Sequence, residues 1–144
     1  MNETGYRTEH DLLGDREIPD RVHWGIHTLR AVENFPVTGT TVALWPDLVR
    51  ALVDIKAAAA RTNAELGLLP APLADAIVAA CGEIRGGALH DQFVVDPIQG
   101  GAGTSTNMNA NEVVANRALE ILGRPRGDYA DRKSTRLNSS HEWI

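Results

Sequence analysis

The chain has 144 residues, of which 43% are hydrophobic and 23% are charged, and its net charge at pH 7 is −5. This size and composition predict one soluble domain with a hydrophobic core, and they argue against a chain that is disordered throughout. An acidic chain with only three Trp, two Tyr and two Phe is also a poor candidate for a nucleic-acid surface, which needs clustered Lys and Arg with stacking aromatic side chains. The composition is more typical of a protein that binds or converts a small molecule.

The single cysteine and the hydropathy of the chain bear on its compartment. Cys81 has no cysteine partner for an internal disulfide. The sequence shows neither a signal-peptide core nor an apolar run of about 18 residues. These features predict a cytoplasmic protein with no membrane partner.

The first third of the chain is predicted to be irregular or extended. Residues 6–19 hold short apolar islands between turn residues, which is typical of loop and short strand rather than helix. Residues 25–35 read GIHTLRAVENF and contain His27, Thr28 and Arg30. Taken alone, such isolated polar residues are most often structural or solvated. The β-branched residues between 37 and 42 then predict an extended connection.

Two helices are predicted in the middle of the chain. The first begins at Trp45-Pro46-Asp47 and ends at Gly67, and its apolar stripe is predicted from helical spacing to be Leu48, Leu52, Ile55, Ala59, Thr62 and Leu66. The second begins near Pro72 and stops at Gly86-Gly87, with Leu73, Ile77, Cys81 and Ile84 pointing inward. Cys81 is therefore expected to be a small buried side chain and not a reactive thiol.

Residues 100–122 combine a glycine and hydroxyl loop with a third helix. The loop holds three glycines, followed by Thr104, Ser105 and Thr106. Apolar residues at three-to-four-residue spacing then predict a helix that ends at Gly123. A glycine loop that leads into a helix N-terminus is an anion-binding arrangement, because free N–H groups and the helix dipole both favour negative charge. The predicted ligand is a carboxylate or a phosphate.

Other interpretations of this loop are weaker. A phosphate-binding P-loop needs a Lys followed by Ser or Thr, and no Lys is nearby. A dinucleotide-binding fingerprint fails because Thr106 takes the place of its third glycine. An ordinary helix capped by Ser105 or Thr106 remains possible. Against it, four asparagines crowd a segment where Asn is a mediocre helix former, at positions 107, 109, 111 and 116.

The run GAGTSTNMNANEVVANRA at residues 101–118 closely resembles the first signature region of the aspartase/fumarase superfamily. The resemblance begins at about His10, and the phrase GIHTLRAVENF is similar to that of the aspartase branch, whereas fumarases more usually have GAQTQRS there. It implies a mainly α fold. This chain would supply the N-terminal domain, with short strands or extended segments, and the start of a central helical bundle.

The resemblance also implies the site and the reaction. The expected activity is elimination of ammonia from L-aspartate to give fumarate, with a dicarboxylate bound by Gly103, Thr104, Ser105, Thr106 and Arg30. Asn107 and Asn109 are expected to support the loop. No cofactor is implied, and the absence of His or Cys at zinc-ligand spacing gives no support to a catalytic metal. A class II fumarate hydratase and a small helical interaction domain without enzymatic activity are the alternatives.

The end of the chain departs from the family pattern. Residues 131–144 have no hydrophobic period, and DRKSTRLNSSH looks like the translation of a sequencing adapter. We therefore expect residues 1–130 to be the native N-terminal domain and residues 131–144 to be a non-native tail. In aspartases the serine base lies on a later loop and each active site takes residues from three subunits of a homotetramer. The chain is thus expected to contain no catalytic base and to be inactive alone.

Overall fold

The computed structural model describes residues 5–128. It opens with an antiparallel hairpin of β1 (Tyr6–Asp11) and β2 (Gly14–Pro19), in which Tyr6 pairs with Pro19 and Asp11 pairs with Gly14. The two turn residues, Leu12 and Leu13, are both exposed to solvent. Gly14 follows them with φ +116°, a conformation that side chains rarely adopt. The prediction of short strands in this segment is confirmed.

Four helices make up half of the described structure, whose only sheet within residues 5–128 is the two-stranded hairpin, so the mainly α prediction is confirmed. They are α1 (Ile26–Asn34), α2 (Pro46–Glu65), α3 (Ala71–Arg85) and α4 (Thr104–Ile121). Short 3-10 turns at Val42–Leu44 and His90–Gln92 lie between them. No helix within residues 5–128 is both long enough and apolar enough to cross a membrane.

The main core lies between α2, α3 and α4. The predicted inward face of α3 is confirmed, because Leu73, Ile77, Cys81 and Ile84 are all buried. Burial raises the pKa of the Cys81 thiol to about 12, so this thiol is neutral at pH 7 and serves as an apolar core residue.

The inward face predicted for α2 is wrong by one position. Leu48 and Ile55 are exposed, whereas Val49 and Val53 are buried. The helix carries apolar residues on more than one side, and the side that packs on α3 is built from smaller residues, including Ala57 and Ala60. Small side chains let the two helix backbones approach each other closely. Helical spacing fits more than one stripe of apolar residues on α2, and the predicted stripe is not the buried one.

Helix α4 is the most deeply buried element, and it places the glycine loop. Residues 108–116 are buried without interruption. The segment before the loop is fixed as well, because the N–H of Val42 donates to Val95 O and the N–H of Ala43 donates to Phe93 O. The loop at residues 100–103 thus joins two anchored parts of the chain. The tail at residues 131–144 lies outside the described residues.

Candidate functional site

The glycine loop enters α4 through two left-handed residues. Gly101 has φ +80°, and Gly103 has φ +81° and is the N-cap residue of α4. A β-carbon in this conformation costs roughly 1–2 kcal/mol, which explains why glycine is used at both places. The alternative that Ser105 or Thr106 caps the helix is wrong. Thr104 already begins the helix, and Gly103 makes no side-chain cap.

A side chain from before the loop caps the helix instead. The amide oxygen of Gln99 accepts a hydrogen bond from the N–H of Thr106 at 3.0 Å. Its amide nitrogen donates to the Thr106 hydroxyl at 2.8 Å and to Asp96 O at 3.0 Å. This arrangement holds the two ends of the loop together. No sequence pattern identifies Gln99 as a cap, because known capping patterns do not place the capping side chain seven residues upstream.

The first turn of α4 presents donors that the described protein leaves open. Within residues 5–128, the N–H groups of Gly103, Thr104 and Ser105 have no acceptor, and residues 100–104 are exposed. The N–H groups of a first helical turn are partly positive and bind anions. The loop therefore has the donors that a carboxylate needs, and they face solvent.

Asp96 ties the base of the loop to the segment after α1. Its carboxylate accepts hydrogen bonds from the N–H groups of Thr38 at 2.6 Å, Val37 at 3.2 Å and Ile98 at 2.8 Å, and from the Thr38 hydroxyl at 2.9 Å. Burial works to raise the pKa of Asp96, but these hydrogen bonds hold it below its usual value. Asp96 is thus a fixed anion below the loop that organises the backbone around it.

The loop also rests on α1. A β-carbon at Gly100 would lie 3.1 Å from Cζ of Phe35, the residue that follows α1. The phrase that ends in Phe35 and the glycine loop are therefore in contact, although 65 positions separate them. A side chain at residue 100 would therefore have to displace the Phe35 ring by a few tenths of an ångström.

The two asparagines predicted to support the loop make different contacts. Asn109 is fully buried, and its amide donates to Gln92 O at 3.0 Å while its oxygen accepts from the N–H of Val95 at 3.4 Å. It therefore holds the segment that leads to the loop. Asn107 lies in the first turn of α4, and its oxygen accepts a hydrogen bond from Lys56 on α2. Lys56 is a lone lysine in an alanine-rich helix, and no motif in the sequence identifies it as part of the site.

Arg30 is placed at the hairpin. Its guanidinium makes a two-point ion pair with Asp11, at 2.7 and 2.8 Å, and donates to Gly14 O at 3.2 Å. The Arg30 hydrogen bond lowers the pKa of Asp11, although burial opposes this effect. Within residues 5–128 these are the hydrogen bonds of the Arg30 side chain, so none joins it to the loop. Its role toward substrate stays a prediction.

The second half of the signature region has a structural role. Glu112 on α4 is buried and accepts from the Thr28 N–H, the Thr28 hydroxyl and the His27 N–H. Glu9 on β1 accepts from the N–H of Ile26. Two carboxylates thus cap α1, whose own N-cap, Gly25, makes no side-chain cap. Burial raises the pKa of Glu112 to about 7, the nearby Glu9 adds to that rise, and the Thr28 hydrogen bonds oppose it.

Asn116 performs a similar task near the end of α4. Its amide donates to His23 O at 2.6 Å, and its oxygen accepts from the N–H of Gly127 at 2.8 Å. The side chain therefore joins the segment before α1 to the chain after α4. This explains an asparagine in a buried helix, where helix propensity would not select it.

The described clefts lie away from the loop. One, of about 350 Å³, lies between α2 and α3 beside Asp54 and Cys81. Another, of about 560 Å³, lies at the C-terminal end of α4 beside Arg117 and Arg124. No group of three or more His, Cys, Asp or Glu within residues 5–128 is arranged to hold a metal ion. The loop at residues 100–103 is exposed to solvent.

Comparisons with known proteins match this sequence and fold. A family model described as Lyase matches residues 14–141, a range that ends inside the segment interpreted as a foreign tail. The aspartate ammonia-lyase of Bacillus subtilis (strain 168) is 54% identical over 124 residues, which cover 86% of this chain and 26% of that protein. The chain spans about a quarter of the length of the curated relatives it matches.

Solved structures agree. The native crystal structure of a fumarate lyase:delta crystallin from Brucella melitensis is similar with a TM-score of 0.86 and 58% identity, over 89% of this chain and 30% of that chain. A recombinant class II fumarase from Schistosoma mansoni is similar with a TM-score of 0.77 and 38% identity, over 85% of this chain and 26% of that chain. The expected fold, an N-terminal domain of the fumarate lyase type, is confirmed.

Proposed function

This chain belongs to the lyase family, and from that premise we propose that it is the N-terminal part of an enzyme that eliminates ammonia from L-aspartate to give fumarate. The observation that carries the proposal is that this chain, over 86% of its own residues, is 54% identical to an aspartate ammonia-lyase. The match to a class II fumarase is lower, at 38% identity.

The open donors of the loop suit this reaction. Elimination begins with loss of a weakly acidic proton from the carbon beside a carboxylate. The electrons left behind delocalise onto that carboxylate, which becomes an aci-carboxylate with two negative charges. Donors that are already oriented stabilise this charge better than the charge of the bound substrate, and thereby lower the barrier.

We assign the contact with a substrate carboxylate to Thr104. Thr104 is the first residue of α4, and it is exposed to solvent at the end of the loop. Ser105 and the N–H of Gly103 would contribute further donors, and Thr106 would act through its two hydrogen bonds with Gln99. Asn107 would support the loop through its hydrogen bond to Lys56 of α2, and Asn109 would support it through its hydrogen bond to Val95 in the segment before the loop.

The remaining parts of the site would come from elsewhere in a longer protein. The catalytic base would lie on a later serine loop, and residues of other subunits would complete the site in a cytoplasmic homotetramer. The open loop supports this view, because residues 100–104 are exposed to solvent. The 144-residue chain alone would be inactive.

The test uses the enzyme encoded by the complete reading frame. Fumarate absorbance is followed with L-aspartate and separately with L-malate. Fumarate formed from L-aspartate, with ammonia released in equal amount, supports the proposal. Activity with L-malate alone would instead support the hydratase alternative.

A pair of variants connects the activity with the loop. Thr104→Val removes the hydroxyl and keeps the shape, so we expect a higher KM for L-aspartate and a lower kcat. Thr62→Val changes an exposed threonine on α2 and should leave both constants unchanged. If the two variants have the same KM and kcat for L-aspartate, Thr104 does not contact the substrate.

A further inference from the structure

Lys56 is a buried cation without a described counter-ion. Lys56 lies on the buried face of α2, and only 3% of the residue is exposed to solvent. Within residues 5–128 no carboxylate forms an ion pair with it, and the one described hydrogen bond of its ammonium group goes to the Asn107 amide oxygen. A buried charge without a partner is costly and is seldom kept for stability alone.

The surroundings of Lys56 do not neutralise it. Cys81 on α3 is close enough to interact with the ammonium electrostatically, but burial keeps that thiol protonated at neutral pH. Burial lowers the pKa of Lys56 itself, as expected for a cation removed from water. The neutral amide of Asn107 solvates the ammonium without cancelling its charge.

Lys56 also lies beside the positive end of a helix. Asn107 is in the first turn of α4, where the dipole of the helix places roughly half a positive charge. The ammonium and the helix N-terminus therefore repel each other in the described chain. An anion at the open N–H groups of Thr104 and Ser105 would be attracted by both.

We propose that Lys56 is a positioning residue for a doubly charged dicarboxylate: it fixes the Asn107 side chain and adds positive charge behind the α4 N-terminus. The inference rests on the proposed function, since it assumes that the loop is the substrate site. Lys56 acts through Asn107 and through its charge, and the open donors of the loop make the contact.

The experiment uses the full-length enzyme and two readouts, which are L-aspartate turnover and calorimetric binding of succinate, a dicarboxylate that does not react. Lys56→Met keeps the length and the apolar stem of the side chain and removes the charge. We expect it to weaken succinate binding and lower kcat/KM by about tenfold or more, as for loss of a buried charged interaction. The thermal midpoint should stay the same or rise, because an unpaired buried charge is gone.

A second variant tests the same idea from the other partner. Asn107→Asp keeps the shape of the side chain and gives Lys56 a carboxylate, so we expect greater thermal stability with weaker succinate binding. Lys56→Arg, which keeps the charge, should retain part of the activity. Arg61→Met, which removes an exposed cation five residues further along α2, should change neither readout.

The outcomes separate the two proposals. If the wild-type enzyme forms no fumarate from L-aspartate, the proposed function fails, and succinate binding and L-malate turnover still test Lys56. If Lys56→Met and Asn107→Asp bind succinate as the wild type does, the inference fails. It also fails if both variants lose activity only in proportion to lost stability, because that would show a purely structural role.

Discussion

Glu112 of α4 accepts hydrogen bonds from both the N–H and the hydroxyl of Thr28, at 2.8 and 2.7 Å, and thereby caps α1 from 84 positions away. The carboxylate is buried beside a second one, that of Glu9. Through this carboxylate the GIHTLRAVENF segment at residues 25–35 is joined to the signature region at residues 101–118.

The first prediction concerns pH. Because burial raises the pKa of Glu112 from 4.5 to about 7, the folded state binds a proton there more tightly than the unfolded state. This contribution to stability is complete below pH 4.5 and is lost as pH rises toward 7. The loss amounts to roughly 3 kcal/mol at about 1.4 kcal/mol per pH unit.

Glu112→Gln should remove this pH dependence, since an amide oxygen still accepts from Thr28 and does not titrate. Thermal midpoints of the full-length enzyme are compared between pH 4.5 and 7.5. The difference between variant and wild type should grow with pH. Glu65→Gln, at an exposed position on α2, is the control, and parallel curves for Glu112→Gln would contradict the prediction.

The second prediction concerns the space between the two carboxylates. A β-carbon at Gly25 would lie 2.2 Å from Oε2 of Glu112 and 2.5 Å from Oε1 of Glu9. Gly25→Ala should therefore displace the caps of α1 and destabilise the protein by roughly 1–3 kcal/mol. The thermal midpoint of the full-length enzyme measures this loss.

Gly82→Ala is the matched control for this substitution. Gly82 is an exposed residue of α3, and a β-carbon there meets nothing within 4 Å. Alanine is the better helix former, so this change should stabilise by roughly 0.5–1 kcal/mol. A Gly25→Ala protein as stable as the wild type would show that the carboxylates can move apart freely.

The third prediction concerns the loop. Gly103 has φ +81° and open space around it, so Gly103→Ala introduces backbone strain of roughly 1–2 kcal/mol without a clash. We expect the strained N-cap to shift the donors of Thr104 and Ser105 and to raise KM for L-aspartate. Gly103→Asn should have a smaller effect because Asn tolerates this conformation. Identical KM values for both variants and the wild type would show that the loop does not bind the substrate.

The fourth prediction concerns Arg30. If it guides the substrate, Arg30→Ala should raise KM for L-aspartate, whereas Asp11→Asn, which releases the guanidinium from its ion pair, should leave KM within about twofold of the wild type. Steady-state kinetics of the two full-length variants make the comparison. If Arg30→Ala and Asp11→Asn lose the same stability and neither changes KM, the only role of Arg30 is to stabilise the hairpin.

The sequence determined the elements whose signals are local. The apolar spacing of α3 and its glycine stop gave the correct buried face, and the loop followed by α4 was predicted because glycines and helical spacing adjoin each other along the chain. The wording of residues 101–118 gave the family, which the comparisons confirmed. These features depend on neighbours within a few residues.

Only the tertiary structure decided which face of α2 is buried and which distant side chains meet. Apolar residues on more than one side of α2 left its orientation open until α3 packed against Val53 and Ala57. The Glu112–Thr28 cap and the Lys56–Asn107 hydrogen bond join residues 84 and 51 positions apart. No helical or strand period reports such pairs, because they form only when packing brings separate helices together.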